Sequence, residues 1–348
     1  IDQYGDCLEG WRYSSTDAGN YSINGALQAL WEAVRDVVKL SLAGNFLPST
    51  LFRQLVVLPH NRIVYRALFN RFAFKNFWCR DDYSSDHHVR SQELRRAGVR
   101  SYGIMHGIPS ICAIVHQLRY LDFDVYYVAG DYQYEHYYKE KWPAHMEVRG
   151  IGSFGLTRAE FWQLAQPREK NIAFFVSPIF QEDQSLEAIA ALARAFPGKR
   201  LLINTKPQYR RKETSYGRKL LAFLDQAPDN VELHTGSSYE LLLSCQYVFS
   251  DGSTLSAEAI QFGLDSYVFD FEPEHWKALD YRDLPGVCVH SAEEAISRVK
   301  MAEEGTWSLP RETFPQLIDL TGVIAWDHIL KDMGLLKEKL KPLPHLAF

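Results

Sequence analysis

Tyr247-Val248-Phe249-Ser250-Asp251-Gly252-Ser253-Thr254 is the stretch that decides the fold of this chain. The residues after it follow a helical pattern that includes Glu258, then reach Gly263 and a second apolar run. This order predicts a buried strand, a tight turn, a helix capped by Ser253 or Thr254, a glycine stop and another strand. Free backbone N–H groups and the positive end of the helix dipole would then meet at the carboxyl end of a strand, which favours binding of a phosphate. The alternative interpretation is an ordinary helix cap.

The composition of the chain predicts a globular protein with two ordinary cores. It has 348 residues, of which 46% are apolar, and a net charge of −5 that argues against a nucleic-acid partner. Five cysteines without a CxxC pair predict a reduced, cytoplasmic protein, and no run reaches the roughly 18 uncharged apolar residues of a membrane span. Because the chain begins at Ile1 rather than Met, we expect it to be either a trimmed chain or one module of a longer protein, whose other modules could be partners.

The first part of the chain, residues 1–156, predicts a Rossmann-like domain. Helical spacing of apolar residues between Leu27 and Leu42 predicts a helix that packs in the core, or alternatively one whose exposed apolar face touches a membrane or another module. Strands are predicted at 76–80, 101–105, 125–129 and 147–151, with helices near 86–97, 110–120 and 132–141. Polar residues follow three of these strands, namely Asp81, Asp82, His106 and Asp131. Because ligands of parallel sheets bind beyond the carboxyl ends of strands, these residues are predicted to line a cleft.

Residues 157–312 predict a second Rossmann-like domain, and residues 313–348 predict C-terminal helices. A polar crossover at 157–170 leads to predicted strands at 172–176, 201–204, 231–234, 247–249, 266–269 and 287–289. Thr205-Lys206-Pro207 directly follows the second of these strands. The fold class is therefore predicted to be α/β, with two Rossmann-like domains facing across a cleft and additional helices at both ends.

Two facing domains of this kind describe the GT-B arrangement of glycosyltransferases. Thr205-Lys206-Pro207 together with Ser250-Asp251-Gly252-Ser253-Thr254 resembles the Lys/His-Pro and Ser-Ser/Thr elements of bacterial sialyltransferases, Kdo transferases and CDP-glycerol polyol-phosphate transferases. The run Tyr102-Gly103-Ile104-Met105-His106-Gly107-Ile108-Pro109, with Arg80-Asp81-Asp82-Tyr83 before it and Gly130-Asp131-Tyr132 after it, is similar to the capsule and O-antigen β-Kdo transferases. The resemblance covers about residues 75 to 300.

The resemblance implies transfer of Kdo, or a related nonulosonic acid, from a CMP donor to a saccharide or lipid-linked glycan in a growing surface polysaccharide. It implies a retaining reaction with a carboxylate nucleophile, for which Asp131 is the first choice because it follows a strand and a glycine. His106, Asp81 and Asp82 are the other catalytic candidates, and His106 or a carboxylate would be the base of an inverting reaction. The expected location of the protein is the cytoplasm, either free or peripheral at the inner face of the cell membrane.

Binding of the donor is expected to need no metal and no other cofactor. The predicted nucleotide and phosphate contacts are Lys206, Pro207, Asp251, Gly252, Ser253, Thr254 and, on the ribose hydroxyls, Glu258. Many CMP-sugar transferases have His before the proline, so Lys206 favours charge neutralisation over proton donation. The adjacent pair His87-His88 does not predict a metal site, because neighbours on a helix point in different directions.

Each candidate also has a structural interpretation that the sequence leaves open. Asp131 could cap a helix over 132–141, His106 could hold its loop through backbone contacts, and Asp81 or Asp82 could pair with a nearby arginine. Glu258 could be a favourable charge near a helix start. The alternatives at the level of function are a CDP-glycerol-type transferase, a catalytically silent GT-B scaffold module and, less favoured, a nucleotide-sugar epimerase.

Overall fold

The structure is a computed structural model of the chain, and its contacts divide it into two compact units. The first unit comprises Ile1–Ile104, Tyr120–Tyr126 and Trp142–Glu147, and the second comprises Met105–Arg119, Tyr127–Lys141 and Val148–Phe348. The residues that the structure describes are 23–42, 49–72, 75–79, 86–105, 107, 121–152, 155–164, 168–177, 182–272, 274, 278–314, 318–321, 323–337 and 339–340.

Two long helices precede the first sheet, α1 over Ile23–Leu42 and α2 over Ser49–Arg71. The α1 helix was predicted, but the prediction that its apolar residues pack in the core is wrong for Leu27, Leu30, Val34 and Val38, which are exposed. The reason is that α2 packs on the opposite face, where Ala29 is buried and Glu32 accepts a hydrogen bond from Arg66 at 2.7 Å. In the described part of the chain, no helix is long and apolar enough to span a membrane.

The first sheet has four strands in the order β1-β2-β3-β4. Its elements are β1 (Asn76–Cys79), α3 (Asp86–Arg96), β2 (Arg100–Ile104), β3 (Val125–Val128), α4 (Asp131–Gln133) and β4 (Glu147–Gly150). The parallel pairing of β1 with β2 sets Asn76 opposite Arg100 and Cys79 opposite Gly103. All four strands were predicted, with ends that differ by one residue. The predicted helix at 110–120 lies outside the described residues.

The prediction of one helix over 132–141 is wrong in extent and start. Only α4 is α-helical, and Tyr134–Tyr138 continues it as a π-helix. Gly130 is the N-cap, so Asp131 is the first helical residue instead of the cap. The crowding of aromatic rings in this segment, including Tyr132 on His136 at 4.1 Å between ring centroids, accompanies the wider helical turn.

The second sheet has six parallel strands in the order β10-β9-β8-β5-β6-β7. Its elements are α5 (Arg158–Leu164), β5 (Glu169–Phe175), α6 (Glu182–Ala195), β6 (Leu201–Asn204), α7 (Ser215–Leu224), β7 (Val231–Leu233), α8 (Ser238–Ser244), β8 (Cys245–Ser250), α9 (Thr254–Gln261), β9 (Asp265–Phe269), α10 (Leu279–Arg282), β10 (Cys288–Val289), α11 (Ala292–Glu303) and α12 (Ala325–Asp332), with 3-10 turns at Pro207–Arg210 and Arg311–Thr313. All six predicted strands are present.

Stacked aromatic residues fill the core of the second sheet. Phe174 on β5, Phe249 on β8 and Phe269 on β9 are fully buried, and their rings stack at 5.6 Å and 5.4 Å from one strand to the next. Two predictions about the connections are corrected. The predicted polar crossover contains α5, and the predicted C-terminal helices shrink, among the described residues, to the turn at Arg311–Thr313 and to α12.

Candidate functional site

The turn between β8 and α9 has the geometry that its sequence predicts. Gly252 has a φ of +83°, a left-handed conformation that favours glycine. Ser253 is extended and is the N-cap of α9, where its hydroxyl accepts a hydrogen bond from the Leu255 N–H at 3.3 Å. Gly263, with a φ of +76°, follows the helix and turns the chain into β9.

The expectation of free backbone N–H groups at this helix start is wrong for the groups that precede α9. The hydroxyl of Ser250, the last residue of β8, accepts hydrogen bonds from the N–H groups of Gly252 and Ser253 at 3.1 Å and 3.2 Å. Ser250 also hydrogen-bonds the hydroxyl of Ser256. These bonds hold the turn in shape before any ligand arrives, and a phosphate would have to share or displace them.

Asp251 is buried, and its carboxylate holds a neighbouring loop. Its Oδ2 accepts hydrogen bonds from the backbone N–H of Ser177, at 2.9 Å, and from the Ser177 hydroxyl. Ser177 follows β5, which lies beside β8 in the sheet. Burial, followed by the negative charges of Asp251 and Glu182, raises the pKa of the Tyr216 hydroxyl. A carboxylate engaged in this way shapes the site but repels a phosphate, so direct phosphate contact by Asp251 is not what the geometry favours.

Lys206 and Pro207 follow β6 at the same edge of the sheet. Lys206 is exposed and extended, forms no ion pair with a described residue, and precedes the 3-10 turn that Pro207 opens. The loop is fastened by Arg210, which donates to the carbonyl oxygens of Thr205 at 2.9 Å and Thr235 at 3.1 Å. Because β6 and β8 both pair with β5, the strand ends that precede Lys206 and Ser253 lie about two strand spacings apart, or roughly 10 Å. Lys206 and the start of α9 therefore follow strands at the same edge of the second sheet.

Gly107, which follows β2, lies against the start of α9 within the second unit. A Cβ built on Gly107 would stand 2.8 Å from the Thr254 hydroxyl, so only glycine allows this approach without a shift. His106 lies outside the described residues, as do Asp81 and Asp82. The structure thus brings together the Gly107 loop and Ser253-Thr254, two motifs that are far apart in the sequence. We call Lys206, Gly252, Ser253, Thr254 and Gly107 the carboxyl-edge site.

Asp131 is exposed and is tied to the same region through its neighbours. The hydroxyl of Tyr132 donates to Asp283 at 2.8 Å, beside α10, and the hydroxyl of Tyr281 on α10 donates to the Ser253 carbonyl oxygen at 2.7 Å. Tyr132 and Ala129 also belong to one apolar cluster with Ala257 of α9. A Cβ on Gly150 would stand 2.8 Å from the Asp131 carboxylate. Because glycine has no Cβ, the carboxylate has room beside β4.

Glu258 and the carboxyl ends of β9 and β10 complete the surroundings of the site. Glu258 is buried in α9, and this burial favours a structural role over contact with a ribose.

A pocket of about 530 Å³ lies beyond β9 and β10, lined by Asp270, Phe271, Arg282, Cys288 and His290. Arg282 donates two hydrogen bonds of 2.7 Å to the Asp270 carboxylate. Asp270 lies two residues after Val268, and Val268 packs in the same apolar cluster as Tyr281.

The described residues contain no group of three His, Cys, Asp or Glu that could hold a metal ion. The prediction that His87 and His88 point apart is wrong, because their ring centroids lie only 4.1 Å apart. Burial and the neighbouring His87 lower the pKa of His88 to about 4, so His88 is neutral at physiological pH. Both rings belong to the first unit and not to the carboxyl-edge site.

Sequence reasoning missed four residues that build the site. Ser177, Ser250, Tyr281 and Gly107 were not assigned roles, although Ser250 and Gly107 stand inside the quoted motifs. A hydroxyl residue at the end of a strand that precedes an Asp-Gly turn is a local signal for the Ser250 contacts. Ser177 and Tyr281 carry no such signal, since their partners lie 74 and 28 residues away.

Comparison with solved structures identifies the fold. The chain is similar to a UDP-N-acetylglucosamine 2-epimerase from Listeria monocytogenes, with a TM-score of 0.53, 9% identity and 82% of both chains covered. It is equally similar to the UDP-GlcNAc 2-epimerase from Neisseria meningitidis bound to UDP-GlcNAc, with a TM-score of 0.53, 12% identity and 83% of both chains covered. The glycotransferase of kitacinnamycin gives a TM-score of 0.50 at 12% identity over 84% of both chains.

The chain has the GT-B fold. The predicted α/β class with two parallel sheets is therefore confirmed. No protein-family model and no curated protein matches the sequence. At 9% to 12% identity the similarity concerns the fold, and the residues of the site have to be argued from their own geometry.

Proposed function

We propose that this chain is a glycosyltransferase that uses a nucleotide-activated sugar, and that its donor is CMP-Kdo or a related CMP-nonulosonate. The observation that carries the proposal is the approach of Gly107 to Thr254. It joins the segment that is similar to β-Kdo transferases to the segment that resembles sialyltransferases, Kdo transferases and CDP-glycerol transferases, in a chain with the GT-B fold. The acceptor in this proposal is a saccharide or lipid-linked glycan of a surface polysaccharide.

The proposed chemistry assigns the leaving phosphate to the carboxyl-edge site. Departure of CMP takes the electron pair of the bond between the anomeric carbon and the phosphate oxygen, and this negative charge needs stabilisation. The Lys206 ammonium, the Thr254 hydroxyl and the positive end of α9 supply it. We assign no metal and no further cofactor to the reaction, because these groups can balance the charge by themselves.

The second half of the reaction is assigned to the first sheet. In the retaining version, a carboxylate oxygen of Asp131 attacks the anomeric carbon, and the acceptor hydroxyl then displaces Asp131 while losing its proton to a base. His106 is the proposed base. In the inverting version the acceptor hydroxyl attacks first, and Asp131 or His106 takes its proton. Asp81 and Asp82 stay catalytic candidates.

The proposal is tested by calorimetric titration of the chain with CMP, CDP, UMP, UDP and GDP. We expect CMP to bind most tightly, and Lys206→Gln and Thr254→Val to weaken CMP by about tenfold or more, the usual loss for a charge-assisted hydrogen bond. The matched control is Lys170→Gln, which removes an exposed lysine at the amino end of β5. Ser253→Ala is a poorer probe, because loss of the N-cap lowers stability by about 1 kcal/mol without any ligand.

Other outcomes distinguish the alternatives. Preference for UDP would instead favour a UDP-sugar enzyme, including an epimerase like those that share the fold. CMP binding that Lys206→Gln leaves unchanged would remove the site from the proposal. If CMP binds but CMP-Kdo is not consumed, a silent scaffold module or a CDP-glycerol-type transferase is favoured. Activity that disappears with EDTA and returns with a divalent cation would contradict the metal-free assignment.

A further inference from the structure

The α1 helix presents an unusually apolar face to solvent. Its exposed large apolar side chains are between 44% and 76% exposed, and they recur every three or four residues, at Ile23, Leu27, Leu30, Trp31, Val34 and Val38. Residues with this spacing share one face of a helix. Soluble monomeric proteins rarely expose a continuous apolar strip of this kind. Such a strip marks a surface that binds another protein, a ligand or a membrane. We call these six residues the α1 strip.

Charge indicates which partner the α1 strip meets. Arg35 and Lys39 are exposed and directly follow Val34 and Val38, so they flank the strip on one side. The sequences of α1 and α2 together hold six basic and two acidic residues, with no acidic residue in α2. Glu93 of α3 accepts hydrogen bonds from Arg62 and Arg66, so the two helices together with this partner carry a net charge of +3, in a chain whose total is −5. A positively charged helix pair with a long apolar strip is complementary to an anionic lipid surface.

The only acidic residue of α1 with a described side chain turns away from the α1 strip. Glu32 accepts a hydrogen bond from Arg66 of α2 at 2.7 Å and another from Gln28 at 3.1 Å. Glu32 therefore offsets positive charge of Arg66 on α2. It does not lie beside the strip, where its carboxylate would repel phosphate head groups. Trp31, at 69% exposure, has the amphipathic ring that prefers the boundary between head groups and acyl chains.

We propose that α1 lies on an anionic membrane surface, with the α1 strip inserted at the level of the head groups and with Arg35 and Lys39 on the phosphates. The length of α1, 20 residues, would allow it to lie in the plane of the interface over about 30 Å. The partner is lipid and not a second copy of the chain, because two copies would bring the same basic residues together. This inference rests on α1 and α2 and is independent of the proposed chemistry.

The test is co-sedimentation of the whole chain with vesicles. We expect binding to a roughly three-to-one mixture of phosphatidylcholine and phosphatidylglycerol, about tenfold weaker binding to pure phosphatidylcholine, and weakening by salt. Trp31→Ser combined with Val34→Ser should reduce binding to the anionic vesicles by at least about tenfold, since both apolar side chains leave the interface. Arg35→Gln combined with Lys39→Gln should reduce it by a similar factor.

Matched controls remove the same chemistry elsewhere. Trp162→Ser changes another exposed tryptophan, at 50% exposure, and Lys300→Gln with Lys337→Gln removes two exposed lysines. These controls should bind vesicles like the unaltered chain, and all variants should keep its thermal transition. Equal binding to neutral and anionic vesicles would overturn the proposal. So would a dimer, seen by ultracentrifugation, that the Trp31 and Val34 substitutions abolish while no variant binds vesicles.

Discussion

At the scale of single residues, steric room decides several positions. Gly217 opens the first turn of α7, where its N–H donates to the Thr214 hydroxyl at 3.0 Å. A Cβ there would stand 1.9 Å from the carbonyl oxygen of Arg211, a backbone atom that cannot swing away. Gly198, before β6, has nothing within 4 Å of the same position. Glycine is thus required at 217 and merely tolerated at 198.

We therefore expect Gly217→Ala to lower the free energy of unfolding by about 1–3 kcal/mol, the usual cost of overpacking. Gly198→Ala is the control and should change it little, or raise it by up to about 1 kcal/mol because the unfolded chain loses freedom. Urea denaturation of both variants measures the two values. If Gly217→Ala is as stable as Gly198→Ala, the backbone contact with Arg211 has no energetic weight.

At the scale of elements, an ion network joins α1, α2 and α3. Arg66 of α2 donates to Glu93 of α3 through two hydrogen bonds of 2.8 Å and 2.7 Å, and to Glu32 of α1 at 2.7 Å. Glu93 and Arg66 are both buried. Burial alone would raise the pKa of Glu93, but the hydrogen bonds and charges of Arg66 and Arg96 outweigh it and hold this pKa below its ordinary value of 4.5.

The lowered pKa gives the network a defined pH dependence. A carboxyl group with a lower pKa in the folded state contributes stability above its unfolded pKa, near 4.5, and loses it as the pH falls through the folded pKa. We expect Glu93→Gln to cost about 3–5 kcal/mol at pH 7, since Arg66 is left buried without its main partner. The difference between the two proteins should shrink as the pH falls below about 4.5.

Urea denaturation between pH 7 and pH 3.5 follows this difference. The control is Glu135→Gln, which breaks the exposed ion pair of Glu135 with Lys139 and should leave stability almost unchanged at any pH. If the free energies of unfolding of the unaltered chain and of Glu93→Gln differ by the same amount at every pH in this range, ionisation of Glu93 does not contribute to stability.

At the scale of the whole molecule, the chain consists of two compact units with different chemistry. The first unit includes α1, α2 and the positive charge they carry, and the second includes the carboxyl-edge site. The binding functions proposed for them are correspondingly separate. A nucleotide should act on the second unit, and a lipid surface on the first.

This separation predicts where a nucleotide slows hydrogen exchange. With saturating CMP, we expect slower exchange in peptides that cover the turn into α9 and the residues after β6, and unchanged exchange in α1 and α2. Mass spectrometry of deuterated peptides measures it. Lys206→Gln at the same CMP concentration serves as the control and should show little slowing. Protection that extends over α1 would mean that the two units do not respond separately.

The sequence alone was enough to predict the strands of both sheets, the turn at Gly252, a helix cap at Ser253 or Thr254 and the α/β class of the fold. These features are written in neighbouring residues, through apolar runs, turn chemistry and capping, and so they can be read locally. The catalytic assignments to Asp131, His106, Asp81 and Asp82 came from the same motifs and stay predictions.

Only the tertiary structure decided which polar groups are already engaged and which faces are left open. The Ser250 hydroxyl accepts hydrogen bonds from N–H groups that were expected to be free, and the Asp251 carboxylate accepts one from Ser177. Gly107 lies against the Thr254 hydroxyl. The α1 strip shows the same limit, because helical spacing reveals an apolar face but not whether another element covers it. The physical reason is common to all of these: the partner lies far away in the chain, and its position follows from packing rather than from local pattern.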